Sequence, residues 1–266
     1  MADRFARPTT VLPAVCLAML VGQRATAQPI TEGFDDVAGL PAQGWAFINA
    51  SAQPNPAAIW TQGNPITDLI TAQAGPPTSF AVVDYSSTNE TAMTGGTISN
   101  WLITPLRSLN NGDVIRFYTQ KPPPDPGFDF PDRMQVRLSA STAPPSLGSP
   151  TDVGTFTTLL LDINPNLTMN NPDGTTGNGY PTVWTQFTLT LSGLAGPTQG
   201  RIGFRYFVTD GGINGTNSDE IAIDTFSLTP AAVPEPGTLL LVGSIAVPLA
   251  VRRLRRGSRH FSAVGL

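Results

Sequence analysis

Cysteine and histidine are almost missing from this chain of 266 residues, which has one of each, Cys16 and His260. Both lie close to the ends of the sequence, so the long stretch between them contains neither side chain. That stretch therefore has no disulfide bond, cysteine nucleophile, Ser-His-Asp triad or zinc site built on Cys or His. Carboxylate chemistry and calcium held by oxygen ligands remain open.

Basic residues are scarce in the same stretch. Eight of the 15 Lys and Arg residues lie in residues 1–27 and 237–266, which leaves seven against 18 Asp and Glu residues in 28–236, a net charge of −11. A domain this acidic lacks the surface that neutralises phosphates, so we expect no nucleic-acid partner. The charge is compatible with calcium, with cationic partners or with solubility alone.

Long apolar runs are absent as well, but each end of the chain carries a short one. Arg4 and Arg7 precede an apolar stretch over residues 11–22, and a small-x-small pattern ends at Ala27. These three parts predict a signal peptide over residues 1–27, and hence export. The alternative, a buried N-terminal helix, lacks a periodic polar face.

The C-terminal region has three parts in order. Pro234, Glu235 and Pro236 come first, an apolar and uncharged run over 238–251 comes next, and Arg252, Arg253, Arg255 and Arg256 follow. A helix of these 14 residues rises ~21 Å, whereas a bilayer core is ~30 Å thick. We therefore predict a short apolar helix that anchors the chain in the membrane temporarily, with the arginines on the cytoplasmic side. The alternative is an ordinary single-pass anchor.

This order of parts resembles the PEP-CTERM sorting signal. The resemblance implies recognition by an exosortase, a membrane transpeptidase-like enzyme, in a Gram-negative bacterium. It also implies removal of the tail after transient inner-membrane anchoring, and delivery to the cell surface or the exopolysaccharide matrix. The chain is then divided into four parts: a signal peptide (1–27), one domain (28–229), a linker with the Pro-Glu-Pro motif (230–237) and the apolar, Arg-rich tail (238–266).

Strands joined by turns, not helices, dominate the pattern between the two ends. In residues 201–208, for example, Ile202, Phe204, Tyr206 and Val208 share one face. Such alternation buries one face of a strand and leaves the other wet, which predicts an all-β antiparallel sandwich. The predicted strands cover residues 30–34, 45–49, 58–62, 80–84, 98–104, 114–119, 134–139, 156–161, 183–191, 201–208 and 221–228.

Six phrases of the domain carry a second resemblance. In order they are Glu32-Gly33-Phe34-Asp35, Leu40-Pro41-Ala42-Gln43-Gly44-Trp45, Trp101-Leu102-Ile103-Thr104-Pro105, Trp184, Ile202-Gly203-Phe204-Arg205-Tyr206 and Ile221-Ala222-Ile223-Asp224. Together they resemble the choice-of-anchor J domain, which is related to the cleaved-adhesin and MAM-like jelly rolls. The resemblance implies an antiparallel jelly-roll β-sandwich. That family has no single activity; some relatives act in adhesion, and catalysis is not its expected role.

Three carboxylates, those of Glu32, Asp35 and Asp224, form the first candidate site. The first and last strands of a jelly roll can lie side by side, which would bring these acids together. Calcium takes six to eight oxygen ligands, so the three acids predict a structural calcium that ties the chain ends together. The alternative is that Asp35 lies in a turn and that Asp224 caps a buried hydrogen-bond network.

Aromatic and acidic side chains of the loops form the other candidates. Phe128, Phe130 and Tyr180, with Trp60, are hypothesised to bind sugar rings, although core packing or loop anchoring would also explain them; Trp45, Trp101 and Trp184 are assigned to the core. Further acids lie in two separate loops, Asp125, Asp129 and Asp132 in the first and Asp210, Asp219 and Glu220 in the second. A glycosidase needs two carboxylates that face each other, and the sequence alone places no two of these acids in that way.

The sequence thus leaves three hypotheses about function. The first is an exported surface or matrix protein that binds polysaccharide, such as exopolysaccharide or surface glycans, or a neighbouring surface component. The second is a carbohydrate-active enzyme with paired carboxylates. The third is a matrix protein without a specific ligand.

Overall fold

A computed structural model describes residues 29–91, 95–124, 128–170 and 179–232. Twelve strands lie within these ranges, and the two short helices there are of the 3-10 type, Val37–Gln43 and Tyr85–Ser87. The strands are β1 (Ile30–Glu32), β2 (Ala46–Asn49), β3 (Thr61–Gln62), β4 (Ala81–Asp84), β5 (Gly96–Ile103), β6 (Arg107–Leu109), β7 (Val114–Gln120), β8 (Met134–Ser139), β9 (Thr158–Ile163), β10 (Thr185–Thr190), β11 (Thr198–Gly211) and β12 (Glu220–Thr229).

The strands form two sheets whose pairings are all antiparallel. The first sheet has the order β10-β7-β12-β4-β3, with β1 also paired to β12. The second has the order β2-β5-β11-β8-β9, with β6 also paired to β11. This confirms the all-β antiparallel jelly-roll sandwich. The predicted signal peptide and C-terminal apolar helix lie outside the described residues.

The core between the sheets is built from the alternating faces of the longest strands. Ile202, Phe204, Tyr206 and Val208 of β11 are all fully buried, as their spacing predicted. A chain of edge-to-face aromatic contacts crosses the core, with ring centroids 5.1 to 5.9 Å apart, through Phe34, Trp45, Phe226, Phe204 and Phe117. Such contacts stabilise by about 0.5 to 1.5 kcal/mol each beyond the area that they bury.

Each sheet is also covered on its outer face, by segments without regular structure. Residues 63–80 cover the first sheet, where Ile70 packs with Phe80, Val82 and Ala222. On the second sheet, Phe156 packs with Trp101 and Ile103. Strands β11 and β12 are therefore buried on both faces, which explains the mixed apolar pattern of β12 in the sequence.

Arg205 is buried on the outer side of β11, although its side chain is charged. Its guanidinium carbon lies 3.7 Å from the centroid of the Phe207 ring, and its nitrogens donate to Ser99, Gln135 and the carbonyl of Pro150. Burial lowers the pKa of Arg205 to about 9. The ring face and the three acceptors compensate for the water that the guanidinium loses.

The first and last strands lie side by side, as the jelly-roll resemblance implied. Ile30 pairs with Leu228 and Glu32 pairs with Phe226. Because β1 is antiparallel to β12, the chain enters and leaves the sandwich at the same end. Residue Ala231 stays close to that end, where its backbone N–H donates to Asp113 over 2.9 Å. In the part of the chain described here, no helix is both long and apolar enough to span a membrane.

Candidate functional site: an acidic groove with an aromatic rim

A groove of about 430 Å³ lies at the other end of β12, where Glu220 begins the strand. Five acidic side chains line it, Asp68, Asp84, Asp129, Asp219 and Glu220, together with the apolar and aromatic side chains described below. We call it the acidic groove. Its volume lies within the range of sites that hold small molecules.

Asp84 and Glu220 meet in the acidic groove because β4 and β12 pair. The two residues are direct partners in the register of the antiparallel ladder, so their side chains leave the sheet on the same face. Partners of this kind have Cβ atoms about 4.5 to 5.5 Å apart, and like charges in this relation destabilise a sheet. The strand pairing thus holds two acids together and opposes the ionisation of both at once.

Glu220 has the most perturbed carboxyl of the groove. Burial, and after it the negative charges of Asp68, Asp219 and Asp84, raise the pKa of Glu220 to about 9. Its Oε1 atom is buried and has no hydrogen-bond partner among the described residues. Glu220 is therefore neutral at pH 7, and it has an acceptor atom that nothing in the described chain uses.

Asp84 and Asp68 are held by local hydrogen bonds. Asp84 caps the short helix Tyr85–Ser87, and its Oδ1 accepts from the Ser86 N–H over 2.8 Å. The two oxygens of Asp68 accept from the Asn64 N–H and the Thr67 hydroxyl, each over 2.7 Å. These bonds fix the positions of both carboxyls at the groove.

A buried ion network underlies the groove. The ammonium of Lys121 lies 2.8 Å from Asp129 and 2.9 Å from Asp132, and it donates to the carbonyl of Phe130 over 2.6 Å. Burial acts to lower the pKa of Lys121, but the charges and hydrogen bonds of the two aspartates outweigh it and raise the pKa. Asp132 also accepts from the Tyr206 hydroxyl and from the Asp219 N–H. The network thus joins the proline-rich loop to the start of β12.

Three aromatic side chains form an exposed rim. Phe128 is 68% exposed, Phe130 43% and Tyr85 38%, and Pro122, Pro123 and Pro124 lie beside them. The exposure of Phe128 and Phe130 fits the predicted sugar contact, and binding itself stays a prediction. The rim thus adds flat apolar surfaces to a groove whose other lining groups accept hydrogen bonds.

Tyr180 was predicted to belong to the same surface, and this is wrong. Its side chain is fully buried, and its hydroxyl lies 2.6 Å from the Thr119 hydroxyl inside the sandwich. Trp60 is also buried, as are Trp45 and Trp101. Trp184, which was assigned to the core, is half-buried and packs on the outer cover of the first sheet, where it donates to the carbonyl of Thr71.

A second cavity of about 270 Å³ adjoins the acidic groove. It shares four lining residues with the groove, Thr67, Asp68, Asp84 and Glu220, and continues past Asn64 towards Ala58. We call the two cavities together the trough, since Asp84 and Glu220 line both of them.

The three predicted calcium ligands are only partly brought together. Glu32 and Asp35 line a cavity of about 290 Å³ with Thr225. Asp224 instead accepts from the backbone N–H groups of Gln73 and Ala74, over 2.7 and 3.1 Å. The ladder shifts register between Asp224 and Ser227, and Thr225 has a positive φ of 49°, which separates Asp224 from the β1 side.

Calcium binding therefore stays a prediction, with Glu32 and Asp35 as its carboxylates. Burial and the charges of Asp35 and Asp36 raise the pKa of Glu32, which a cation in that cavity would reverse. Asp224 matches the alternative, a cap on a buried hydrogen-bond network. Among the residues that the structure describes, no group of three or more Asp, Glu, His or Cys is arranged to hold a metal ion.

Sequence reasoning found part of the acidic groove and missed the rest. It singled out Phe128, Phe130, Asp129, Asp219 and Glu220, but in separate loops. Asp68, Asp84 and Tyr85 were missed. The only signal for Asp84 was its place at the end of a predicted strand, and the pairing of that strand with β12 is not written in either segment.

No family model matches this chain, and no curated protein does. Among solved structures, a cleaved adhesin domain of Lys-gingipain from Porphyromonas gingivalis is 23% identical, with 77% of this chain and 99% of that chain covered and a TM-score of 0.48. A second cleaved adhesin domain of Lys-gingipain is 20% identical, with 76% and 99% covered and a TM-score of 0.46.

A family 11 carbohydrate-binding module from Clostridium thermocellum, in complex with a β-1,3-1,4-mixed-linked tetrasaccharide, is also similar. It is 12% identical, with 79% of this chain and 100% of that chain covered and a TM-score of 0.36. Cleaved adhesin domains were among the relatives that the sequence phrases implied. The choice-of-anchor J and PEP-CTERM resemblances rest on the sequence phrases alone.

Proposed function

We propose that this protein is a non-enzymatic, exported glycan-binding module that acts in adhesion or in an extracellular matrix, and that the acidic groove is its binding site. One observation carries the proposal: exposed aromatic rings and hydrogen-bonding carboxyls line the same groove. Sugar rings present apolar C–H faces and polar hydroxyls at once, so a site for them needs both kinds of surface.

The test is a binding screen of the full chain against polysaccharides, including the exopolysaccharide of its host. Replacing Phe128 and Phe130 by alanine is expected to weaken binding by about tenfold or more, because each ring contributes on the order of 1 kcal/mol. The matched control is Leu159→Ala, which shortens a side chain of similar exposure, 45%, on β9. If no glycan binds to the folded chain, the module is a structural matrix component and the proposal fails.

Hydrolysis of the bound glycan is a second candidate, favoured by one observation. A neutral Glu220 faces Asp84 in the groove, and glycosidases use a protonated carboxyl as acid beside a second carboxylate. Product analysis after long incubation with each bound glycan decides between the two. Reducing ends that appear with the natural chain and disappear with Glu220→Gln would establish the enzyme.

We further propose that the chain is exported and sorted through its C-terminal tail by an exosortase-type enzyme. The support is the order of Pro234, Glu235, Pro236, the apolar run and the arginines. Mass spectrometry of the form delivered by the host to its surface is expected to find no peptide beyond about residue 237. Peptides that contain His260 on that form would contradict the proposal and leave a lasting membrane anchor instead.

A further inference from the structure

The acidic groove has an excess of acidic groups over cations. Of its five acids, Asp129 is paired with Lys121, and Lys121 is fully buried and shared with Asp132. No lysine or arginine of the described ranges forms an ion pair with Asp68, Asp84 or Glu220. The side chains that line both cavities of the trough include no basic residue in the described chain.

Glu220 shows the effect of this imbalance on the fold. Its carboxyl stays protonated because burial and three neighbouring acids disfavour another negative charge. Its buried Oε1 atom has no donor among the described residues. An unpaired buried acceptor costs free energy, and so does repulsion among the acids around it. A ligand that donates a hydrogen bond to Oε1 and carries a positive charge relieves both costs.

The form of the groove restricts that ligand further. The rim of Tyr85, Phe128 and Phe130 accepts flat apolar faces, whereas the acidic side chains of the groove accept hydrogen bonds from N–H and O–H groups. Asp84 and Glu220 line both cavities of the trough, so we place one unit of a polymer in each cavity. A bare metal ion does not suit it, because no group of three acids among the described residues has the arrangement for one.

From these features we propose that the trough is selective for cationic amino sugars, such as a glucosamine polymer with free amino groups, over neutral or N-acetylated glycans. This inference rests on the proposed glycan-binding function and names its ligand class. The ammonium group of the sugar is placed against Asp84, Glu220 and Asp68, and the sugar rings lie on Phe128 and Phe130. Acetylation removes both the charge and two of the three N–H donors, so it removes the source of the preference.

The experiment compares two probes of equal length by titration calorimetry on the purified full chain. One is a glucosamine oligosaccharide with free amino groups, and the other is its fully N-acetylated form. We expect the free amine to bind about tenfold or more tightly at mildly acidic pH, and the ratio to shrink as salt is added. The double variant Asp84→Asn, Glu220→Gln is expected to lower the ratio several-fold, with Asp68 left as an acid of the trough.

The control is Asp36→Asn, which removes one negative charge outside the trough. Asp36 caps the helix Val37–Gln43 by accepting from the Gly39 N–H, and asparagine caps as well, so the fold is kept. This variant is expected to retain the preference. Thermal unfolding shows whether the double variant is folded. If it is not, Asp68→Asn is measured in its place, because the one side-chain oxygen of asparagine can still accept one of the two hydrogen bonds from Asn64 and Thr67.

The outcomes separate this inference from the proposed function. Equal affinity for the two probes means that the module binds glycans without the preference, which overturns the inference alone. No binding of either probe or of any screened polysaccharide overturns both. Tighter binding of an oligolysine peptide than of the amino sugar would assign the trough to cationic protein segments. That result would overturn the proposal that the trough binds a glycan.

Discussion

Glu220 has the most perturbed carboxyl of the acidic groove, and its titration is expected to affect folding. Its pKa is raised to about 9 in the folded chain, above the ordinary carboxyl value. A carboxyl of this kind favours the folded state at low pH, and its contribution is lost as pH rises from about 4.5 to about 9. We therefore predict that the chain loses stability across this window. Urea denaturation at pH values across the window measures it.

The variant Glu220→Gln isolates that contribution. Glutamine copies the neutral carboxyl in shape, so we expect a flatter pH dependence and a gain of about 1 to 3 kcal/mol at the alkaline end. The control Leu159→Ala changes no titratable group and should leave the slope as it is. A slope in Glu220→Gln equal to that of the natural chain would show that Glu220 is not the group that titrates.

Lys121 is the second residue with a defined energetic role. Among the described residues it is the one cation that forms ion pairs with both Asp129 and Asp132, and all three side chains are at most 2% exposed. Lys121→Met keeps the apolar stem but leaves two buried acids uncompensated, so we expect a loss of about 3 to 5 kcal/mol in the free energy of unfolding. Adding Asp132→Asn to Lys121→Met should recover part of it. Full stability in Lys121→Met would contradict the network.

The elements themselves followed from the sequence to a large extent. Each of the eleven predicted strands overlaps an observed one, because β-strand alternation and turn residues are local signals. Strand β6 was missed, since its three residues, Arg107–Leu109, are too few to show a period. The covers of the outer faces were missed too. Their Pro- and Gly-rich sequences have no hydrophobic periodicity, and their position is determined only by packing on the sheets.

The 63–80 segment explains why site prediction was harder than strand prediction. It runs along β12, and its contacts follow the strand in order: Asp68 near Glu220, Ile70 on Ala222 and Gln73 on Asp224. One irregular segment therefore forms a wall of the acidic groove and also donates two backbone hydrogen bonds to the carboxylate of Asp224. Neither effect can be predicted from the sequence, because the 63–80 segment and β12 are more than a hundred residues apart and no local pattern shows that they are in contact.

This element gives a test that separates the two roles of the acids near β1. Asp224→Asn loses acceptor capacity for the Gln73 and Ala74 N–H groups, so we expect a loss of about 1 to 3 kcal/mol with or without calcium. If calcium binds at Glu32 and Asp35, calcium raises the melting temperature of the natural chain and of Asp224→Asn, but not that of Glu32→Gln. An unchanged melting temperature of the natural chain at millimolar calcium would remove the calcium prediction.

At the scale of the whole molecule, the acidic groove and the chain ends lie at opposite ends of one strand. Glu220 opens β12 at the groove, whereas Thr229 closes it beside Ile30, where the chain enters the sandwich. Nine residue steps of a strand span roughly 30 Å. The proposed attachment through the tail therefore leaves the groove about one strand length from the last described residues, which suits the proposed capture of a polymer.

This orientation is testable by tethering, because residues 28–266 contain no cysteine. In a chain with Cys16→Ser, a single cysteine is introduced either as Ala232→Cys near the exit of the sandwich or as Leu69→Cys at the groove, where the natural side chain is 69% exposed. Each form is coupled to a solid support through its thiol. We expect the Ala232→Cys form to capture a long glucosamine polymer as the free chain does, and the Leu69→Cys form to lose about tenfold or more, since the support blocks the groove. Equal capture by both forms would place the binding surface elsewhere on the sandwich, and both must first show the same melting temperature in solution.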